Sequence, residues 1–259
     1  MKKSFKPGAM ISPLPAVMVS CGEDEEKNII TIAWTGIINS TPPLTYVSVR
    51  KSRHSHELIR KNREFVINLV NEELTFAADY CGVKSGRDID KFAEMNLTPE
   101  PSEVVSCPGI GESPLNLECK VIEIHEYPSH DMFVAEIVNV KADKNIVDEK
   151  GKINLAEAGL MAYVHGEYMG IKKNPLGRFG YSVMKAKTKK RIGREKHAER
   201  VEKNRKKRET KSQGKTSNLQ EAVKKNSAGR KQRTENTSSK RSSGYRAEFK
   251  SSKKGKRDR

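Results

Sequence analysis

The run Asn28 to Ser55, NIITIAWTGIINSTPPLTYVSVRKSRHS, constrains this chain most, because two strand patterns joined by a turn end in a burst of positive charge. In Ile29 to Thr35 the bulky Ile30, Ile32 and Trp34 alternate with Thr31, Ala33 and Thr35. That alternation predicts a strand with one apolar face and one face of small, hydrogen-bonding side chains, against which a flat ring can lie close. Ser40-Thr41-Pro42-Pro43 is a turn signal, and a second strand, Leu44 to Val49, runs into Arg50, Lys51, Arg53 and His54 just before a helical pattern over His54 to Asn62. Basic residues at a helix start oppose the macrodipole, so an anion, most simply a phosphate, is expected to compensate them.

Charge divides the chain. Lys185 to Arg259 holds 29 basic against 8 acidic residues, net +21, whereas Met1 to Met184 is net −4, so the overall +17 belongs to the tail. The tail is nearly devoid of Leu, Ile, Val and Phe and cannot offset the entropy of ordering itself, which predicts a disordered, low-complexity Lys/Arg-rich segment over 185–259 after a domain at 1–184. Its first part, KAKTKKRIGREKHAERVEKNRKKRETK, can form transient helix through Glu/Lys pairs but has no apolar stripe. So basic a segment is expected either to touch RNA or another anionic polymer without sequence preference, or merely to solubilise. The four cysteines, Cys21, Cys81, Cys107 and Cys119, have no C-x-x-C spacing, which argues against a zinc site or redox dithiol, and no metal site is expected. With no apolar N-terminal run and no segment of about 20 apolar residues, a cytoplasmic protein without membrane contact is expected.

Further strands are expected at Pro15 to Cys21, Glu64 to Val70, Leu115 to His125 and Met132 to Lys141, with Asn68 a polar intruder in the second. In the third, Leu115, Leu117, Cys119 and Val121 face inward while Asn116, Glu118 and Lys120 face out. Asn71 caps a helix whose Leu74, Ala77, Ala78 and Cys81 share one face and which Gly82 closes. Lys91 to Met95 and Leu155 to Ala162 are short helices, and Thr98 to Ser113 is irregular. Short antiparallel strands outnumbering helices suit a mainly β fold, a small barrel with peripheral helices. No G-x-G-x-x-G follows a strand, so a Rossmann nucleotide site is not expected.

TIAWTG, S-T-P-P and SVRKSRHS, followed by CGVKSGRD-x-DKF, NLEC and SHDMFVAEIV, resemble the flavin reductase-like family and, within it, the flavoredoxin-type branch, from about Pro13 to Ser182. The resemblance implies an FMN-binding split β-barrel, usually a homodimer. It implies an oxidoreductase that passes electrons from NAD(P)H through FMN to a flavin, ferric or protein acceptor. The alternative is a non-enzymatic FMN-binding electron carrier tethered to RNA by its tail. A related split-barrel enzyme acting on pyridoxine phosphates would share the phosphate cradle, but SVRKSRHS and CGVKSGRD favour the flavin branch.

FMN needs its phosphate held, its ring embedded and one ring face left open. The phosphate falls to Arg50, Arg53, His54 and Ser55, and the ring to Thr31, Ala33, Trp34, Thr35 and Gly36 with Ser48 and Val49 on the adjoining strand. Trp34 fits a core position equally well. The loop Val83 to Asp90 either merely joins two helices or, as the resemblance implies, reaches the cofactor through Ser85, Gly86 and Arg87. His130 falls where related reductases carry a Gly-Asp-His turn, which makes it the candidate catalytic residue, although Pro-Ser precedes it here and a lone turn histidine is more often structural. His165 and Tyr168 either border the same pocket or serve folding.

Overall fold

The computed structural model describes residues 1–172, 174–188, 190–194, 197–198, 201–202 and 204–205. The chain divides into two units, Met1–Leu176 and Gly177–Arg259. In the second unit a 3-10 turn, Tyr181–Val183, precedes described residues between 186 and 205 that are helical, where only transient helix was expected. The expected disorder beyond residue 205 lies outside the described residues.

The first unit runs β1 (Leu14–Pro15), β2 (Val17–Cys21), β3 (Asn28–Ile32), β4 (Thr35–Ser40), β5 (Pro43–Arg50), α1 (His54–Asn62), β6 (Glu64–Leu69), α2 (Thr75–Val83) and α3 (Lys91–Glu94). It continues through β7 (Pro99–Glu100), β8 (Gly109–Ile110), β9 (Leu115–Glu126), β10 (His130–Ala142), β11 (Met161–Val164) and β12 (Glu167–Gly170). Seven strands form one antiparallel sheet in the order β3-β2-β6-β9-β10-β5-β4, and β1-β11-β12 form a second. One core takes Val19 from β2, Ile30 and Ile32 from β3, Val47 and Val49 from β5, Phe65 from β6, Cys119 from β9 and Phe133 from β10. β3, at one end of the order, shares those contacts with β5, next to the other end, so the sheet curls into a barrel that stays open along the seam between β3 and β5. Leu58 and Ile59 of α1 pack into the same core. A second core on the outer face joins Met18 and Ile29 to Leu74 just before α2, Ala77, Ala78 and Cys81 of α2, Phe92 of α3 and Met161 of β11. The mainly β fold with peripheral helices is as the sequence predicts.

Several local expectations are corrected. Ile29 to Thr35 is not one strand: β3 ends at Ile32, its last pairing with Val17, and the chain bends at Ala33-Trp34 to begin β4. The helix expected over Leu155 to Ala162 is a 3-10 turn, Leu155–Glu157, followed by β11. Gly159, at φ +63°, ends that turn, and His165 and Gly166, both at positive φ, turn β11 back into β12, so the apolar run belongs to two elements. Gly82 does not close α2 but lies inside it, where a Cβ would come within 3.2 Å of Thr31 Cβ, so its missing side chain lets α2 approach β3. Asn71 Oδ1 accepts from Leu74 N, capping the turn that leads into α2.

The outward face of β9 is buried at Asn116 and Glu118 but not at Lys120, because the segment between Glu100 and Gly109 folds over its first half. Glu118, fully buried, accepts from the amides of Glu103, Val104 and Val105 and from Asn139 Nδ2. Burial pushes the Glu118 carboxyl up, but these donors outweigh it and hold it below the usual carboxylate range. Asn68 pins the same excursion: its Nδ2 donates to Met18 O and Ser20 Oγ, and its Oδ1 accepts from Ile110 N at 2.9 Å and Asn116 Nδ2 at 2.6 Å. That accounts for a polar residue in the middle of an apolar strand.

Candidate functional site

The seam opens into two adjoining cavities of about 360 and 460 Å³ that share Ile30, Arg50 and Arg53. Both fall in the size range of about 300–1,000 Å³ usual for small-molecule sites. All the expected cofactor-contacting residues except Thr35, Gly36 and Arg87 line one cavity or the other. Thr35 and Gly36 lie in β4, where the Thr35 hydroxyl donates to Tyr46 O and Gly36 O accepts from the Thr45 hydroxyl.

The first cavity is a slot. One side is Thr31, Ala33 and Trp34 of β3 and the bend after it, and the other is Ser48 and Val49 of β5. Ser48 N donates to Trp34 O at 2.9 Å, tying the two sides together at the bend. Trp34 is 42% exposed, so it is no core residue. Its ring lies 4.7 Å from that of His130, tilted 34°. His130 opens β10 opposite Arg50, and its Nδ1 is 2.9 Å from Ser129 Oγ. Burial and the nearby Arg50 guanidinium lower the His130 pKa, so the ring is largely neutral at pH 7. Tyr163 and Tyr168 of the β11–β12 hairpin also line the slot, and the Tyr168 hydroxyl donates to Asp79 Oδ1 of α2 at 3.1 Å. His165, at the tip of that hairpin, is exposed and does not line it.

The second cavity is an anion cradle. Arg50, Arg53, His54, Lys84 and Lys91 line it, and no Asp or Glu does. Among the described residues neither Arg50 nor Arg53 has a carboxylate partner. The first turn of α1, with amides that no intrahelical carbonyl reaches, contributes His54 and Ser55. Arg87 does not join the cradle: its guanidinium donates to Ser52 O at 3.2 Å and Glu57 Oε2 at 2.9 Å, fastening the loop to α1. Lys51 also turns away, lying 3.3 Å from Asp131 Oδ1.

Gly86 makes the cradle possible. A Cβ there would overlap the Asn28 side-chain amide, whose Nδ2 donates to Ser55 Oγ at 2.8 Å. Gly86→Ala is therefore expected to displace Asn28, free the Ser55 hydroxyl and weaken anion binding about tenfold, roughly the worth of one net hydrogen bond. A phosphate titration followed by calorimetry checks this, and unchanged affinity would show that Asn28 plays no part.

Asp131, behind the cradle, was not singled out as a functional residue. It is 1% exposed and accepts from His56 Nε2 at 2.8 Å and Arg60 Nη1 at 3.2 Å while facing Lys51. Burial raises its pKa, but the hydrogen bonds from His56 and Lys51 outweigh that and hold it below the usual carboxylate range. Asn28, Lys84 and Lys91 were also missed. Asn28 reads as a loop end, and a lysine opening a short helix reads as solvated.

Comparison with known proteins agrees with this fold. The family model for the flavin reductase like domain matches residues 10–172. Flavoredoxin of Desulfovibrio vulgaris (Miyazaki F) is 31% identical with a TM-score of 0.66, covering 70% of this chain and all of that one. Flavoredoxin from Methanosarcina acetivorans is 26% identical at a TM-score of 0.63, covering 71% of this chain and all of its own. The reductase component of 4-nitrophenol 4-monooxygenase/4-nitrocatechol 2-monooxygenase from Rhodococcus opacus is 30% identical over 125 residues, 48% of this chain and 64% of that protein. With its barrel open along one seam and the family match spanning nearly all of the first unit, this chain belongs to the flavin reductase like domain family and has its split-barrel fold.

Proposed function

We propose that the protein is an FMN-dependent oxidoreductase of the flavin reductase type that takes reducing equivalents from NAD(P)H and delivers them to a free flavin, a ferric complex or a protein acceptor. The observation that carries this reading is the pairing of a slot between β3 and β5 with a cradle lined by Arg50, Arg53, Lys84 and Lys91 and by no acidic residue. The residues fit FMN: a phosphate would meet Arg50, Arg53 and the start of α1, and a planar ring would meet Thr31, Ala33, Trp34, Ser48 and Val49. When bound, FMN supplies the hydride and electron chemistry. The chain's own task is to position and to exclude water. Arg50 and Arg53 fix one end of the ligand, so that its other end is aimed into the slot. Trp34, His130, Tyr163 and Tyr168 shape the mouth through which a second planar molecule would enter. His130, its ring tilted against that of Trp34, serves as a wall of that mouth. The names of the flavoredoxin and reductase-component relatives support the same class.

Steady-state oxidation of NADH and of NADPH, with FMN and then a ferric or flavin acceptor added, tests the proposal. Acceptor-dependent turnover is expected with at least one nicotinamide. A flavin that is bleached once and never cycles would instead indicate an electron carrier.

A further inference from the structure

Lys185 to Arg194, KAKTKKRIGR, holds six basic residues in ten and no acidic one, and it opens a stretch, Lys185 to Arg259, of 29 basic against 8 acidic residues. Lys187, Lys190, Arg191 and Arg194 are helical and exposed. Lys187, Arg191 and Arg194 stand at i, i+4 and i+7, the spacing that sets side chains on one face of a helix, and Lys190 adjoins them in sequence. Like charges four residues apart destabilise a helix, so this row is not explained by what holds the helix together. The flavin domain does not account for it either, because the family match ends at residue 172 and 70% of this chain covers the whole of the Desulfovibrio vulgaris flavoredoxin. Nor is solubility the simplest account. Acidic residues solubilise better than basic ones, whereas a strongly cationic segment adheres to polyanions.

We propose that this segment is a nucleic-acid binding site in which the helical row Lys187, Lys190, Arg191 and Arg194 leads the grip on the phosphodiester backbone, without regard to base sequence. A duplex carries one negative charge about every 1.7 Å of its axis, roughly twice the density of an extended acidic peptide with a residue about every 3.3 Å, so closely set cations find more partners on it. Ser, Thr, Asn and Gln make up most of the uncharged positions of Lys185 to Arg259, and such hydroxyl and amide groups donate to phosphate oxygens without reading bases. Tyr245 and Phe249 are the only large aromatic residues there, so stacking on bases contributes little and the backbone dominates. A lipid surface fits less well. Stable attachment to a membrane needs an apolar or acyl anchor beside the basic cluster, and this stretch has no Trp, no Cys to acylate and no apolar stripe. The site adds a location to the reductase rather than a step to its reaction.

The test titrates the full chain into fluorescent duplexes of about 20 base pairs, one of RNA and one of DNA with the same sequence, across a salt series. It repeats the titration with the full chain carrying Lys187→Gln, Lys190→Gln, Arg191→Gln and Arg194→Gln together. The unaltered chain should lose about a thousandfold or more in affinity between about 50 and 200 mM salt, as six or more phosphate contacts require. The four substitutions should lower the slope of log affinity against log salt by about one for each residue that meets a phosphate, while FMN affinity stays within about twofold. Tighter binding of RNA or of DNA names the source of the backbone, and equal binding is the sequence-blind grip itself. An unchanged slope in the substituted chain, or a parallel loss of FMN affinity, overturns the inference. If the substituted chain aggregates, the salt series on the unaltered chain decides, and affinity that salt does not alter overturns it. Tighter binding of phosphatidylserine vesicles or of polyglutamate than of either duplex overturns it as well.

Discussion

Replacing Arg50 and Arg53 together with alanine is expected to lower FMN affinity by about two to four orders of magnitude, enough to yield colourless protein on purification. Each charge-assisted hydrogen bond to a phosphate contributes about 1.5–3 kcal/mol, and because both arginines would grip one anion their losses need not add simply. The fold should survive. Both side chains are exposed and neither has a carboxylate partner among the described residues, so the melting temperature of the apoprotein should hold steady or rise as repulsion in the cradle is relieved. Flavin affinity comparable to that of the unaltered chain would place the phosphate elsewhere.

Asp131→Ala should have the largest effect on stability. It leaves His56, Lys51 and Arg60 facing one another around a cavity where their shared carboxylate stood. Breaking a buried ion pair costs about 3–5 kcal/mol, but Lys51 and Arg60 are roughly half exposed, so screening reduces the expected loss to about 2–4 kcal/mol. For a unit of this size that corresponds to a fall of roughly 5–15 °C in melting temperature. The pH dependence follows in sign. The folded carboxyl is held below its unfolded pKa of about 3.9, so its contribution is present above that pH and lost as pH falls through the folded value. Asp131→Asn should flatten the acid limb of the stability profile below about pH 4, and an unchanged limb would mean that the three partners hold the corner without it. Flavin binding should also weaken in Asp131→Ala, since the carboxylate ties Lys51, just beyond Arg50, to His56 and Arg60 on α1.

Much of this was legible because local chemistry and burial coincide. The helix over His54 to Asn62 lies where its pattern predicts, and Arg50, Arg53, His54 and Ser55 do meet at its start. The Leu74, Ala77, Ala78 and Cys81 face is buried as its spacing implies. What the sequence hid was set by distant segments. Alternation in β9 suggested a solvated face, and Lys120 is exposed, but the excursion from Glu100 to Gly109 covers the first half and turns Glu118 into a buried acceptor. Trp34 continued the apolar alternation of β3, yet the bend at Ala33-Trp34 carries it off the core and onto His130. The hairpin of β11 and β12 was masked by an apolar run that a short helix would also show, with His165-Gly166 as the overlooked turn signal. Lys91 and Asp131 were missed for one shared reason: charged residues are usually solvated, and only the fold shows which of them it buries.

The central claim, that slot and cradle together form one FMN site, is met most directly by titrating FMN into the purified apoprotein and following both heat and the absorbance at about 450 nm. The account predicts saturable binding at one site per chain, with a perturbed flavin spectrum as the ring leaves water. Protein that stays colourless and takes up no FMN in the calorimeter would contradict it.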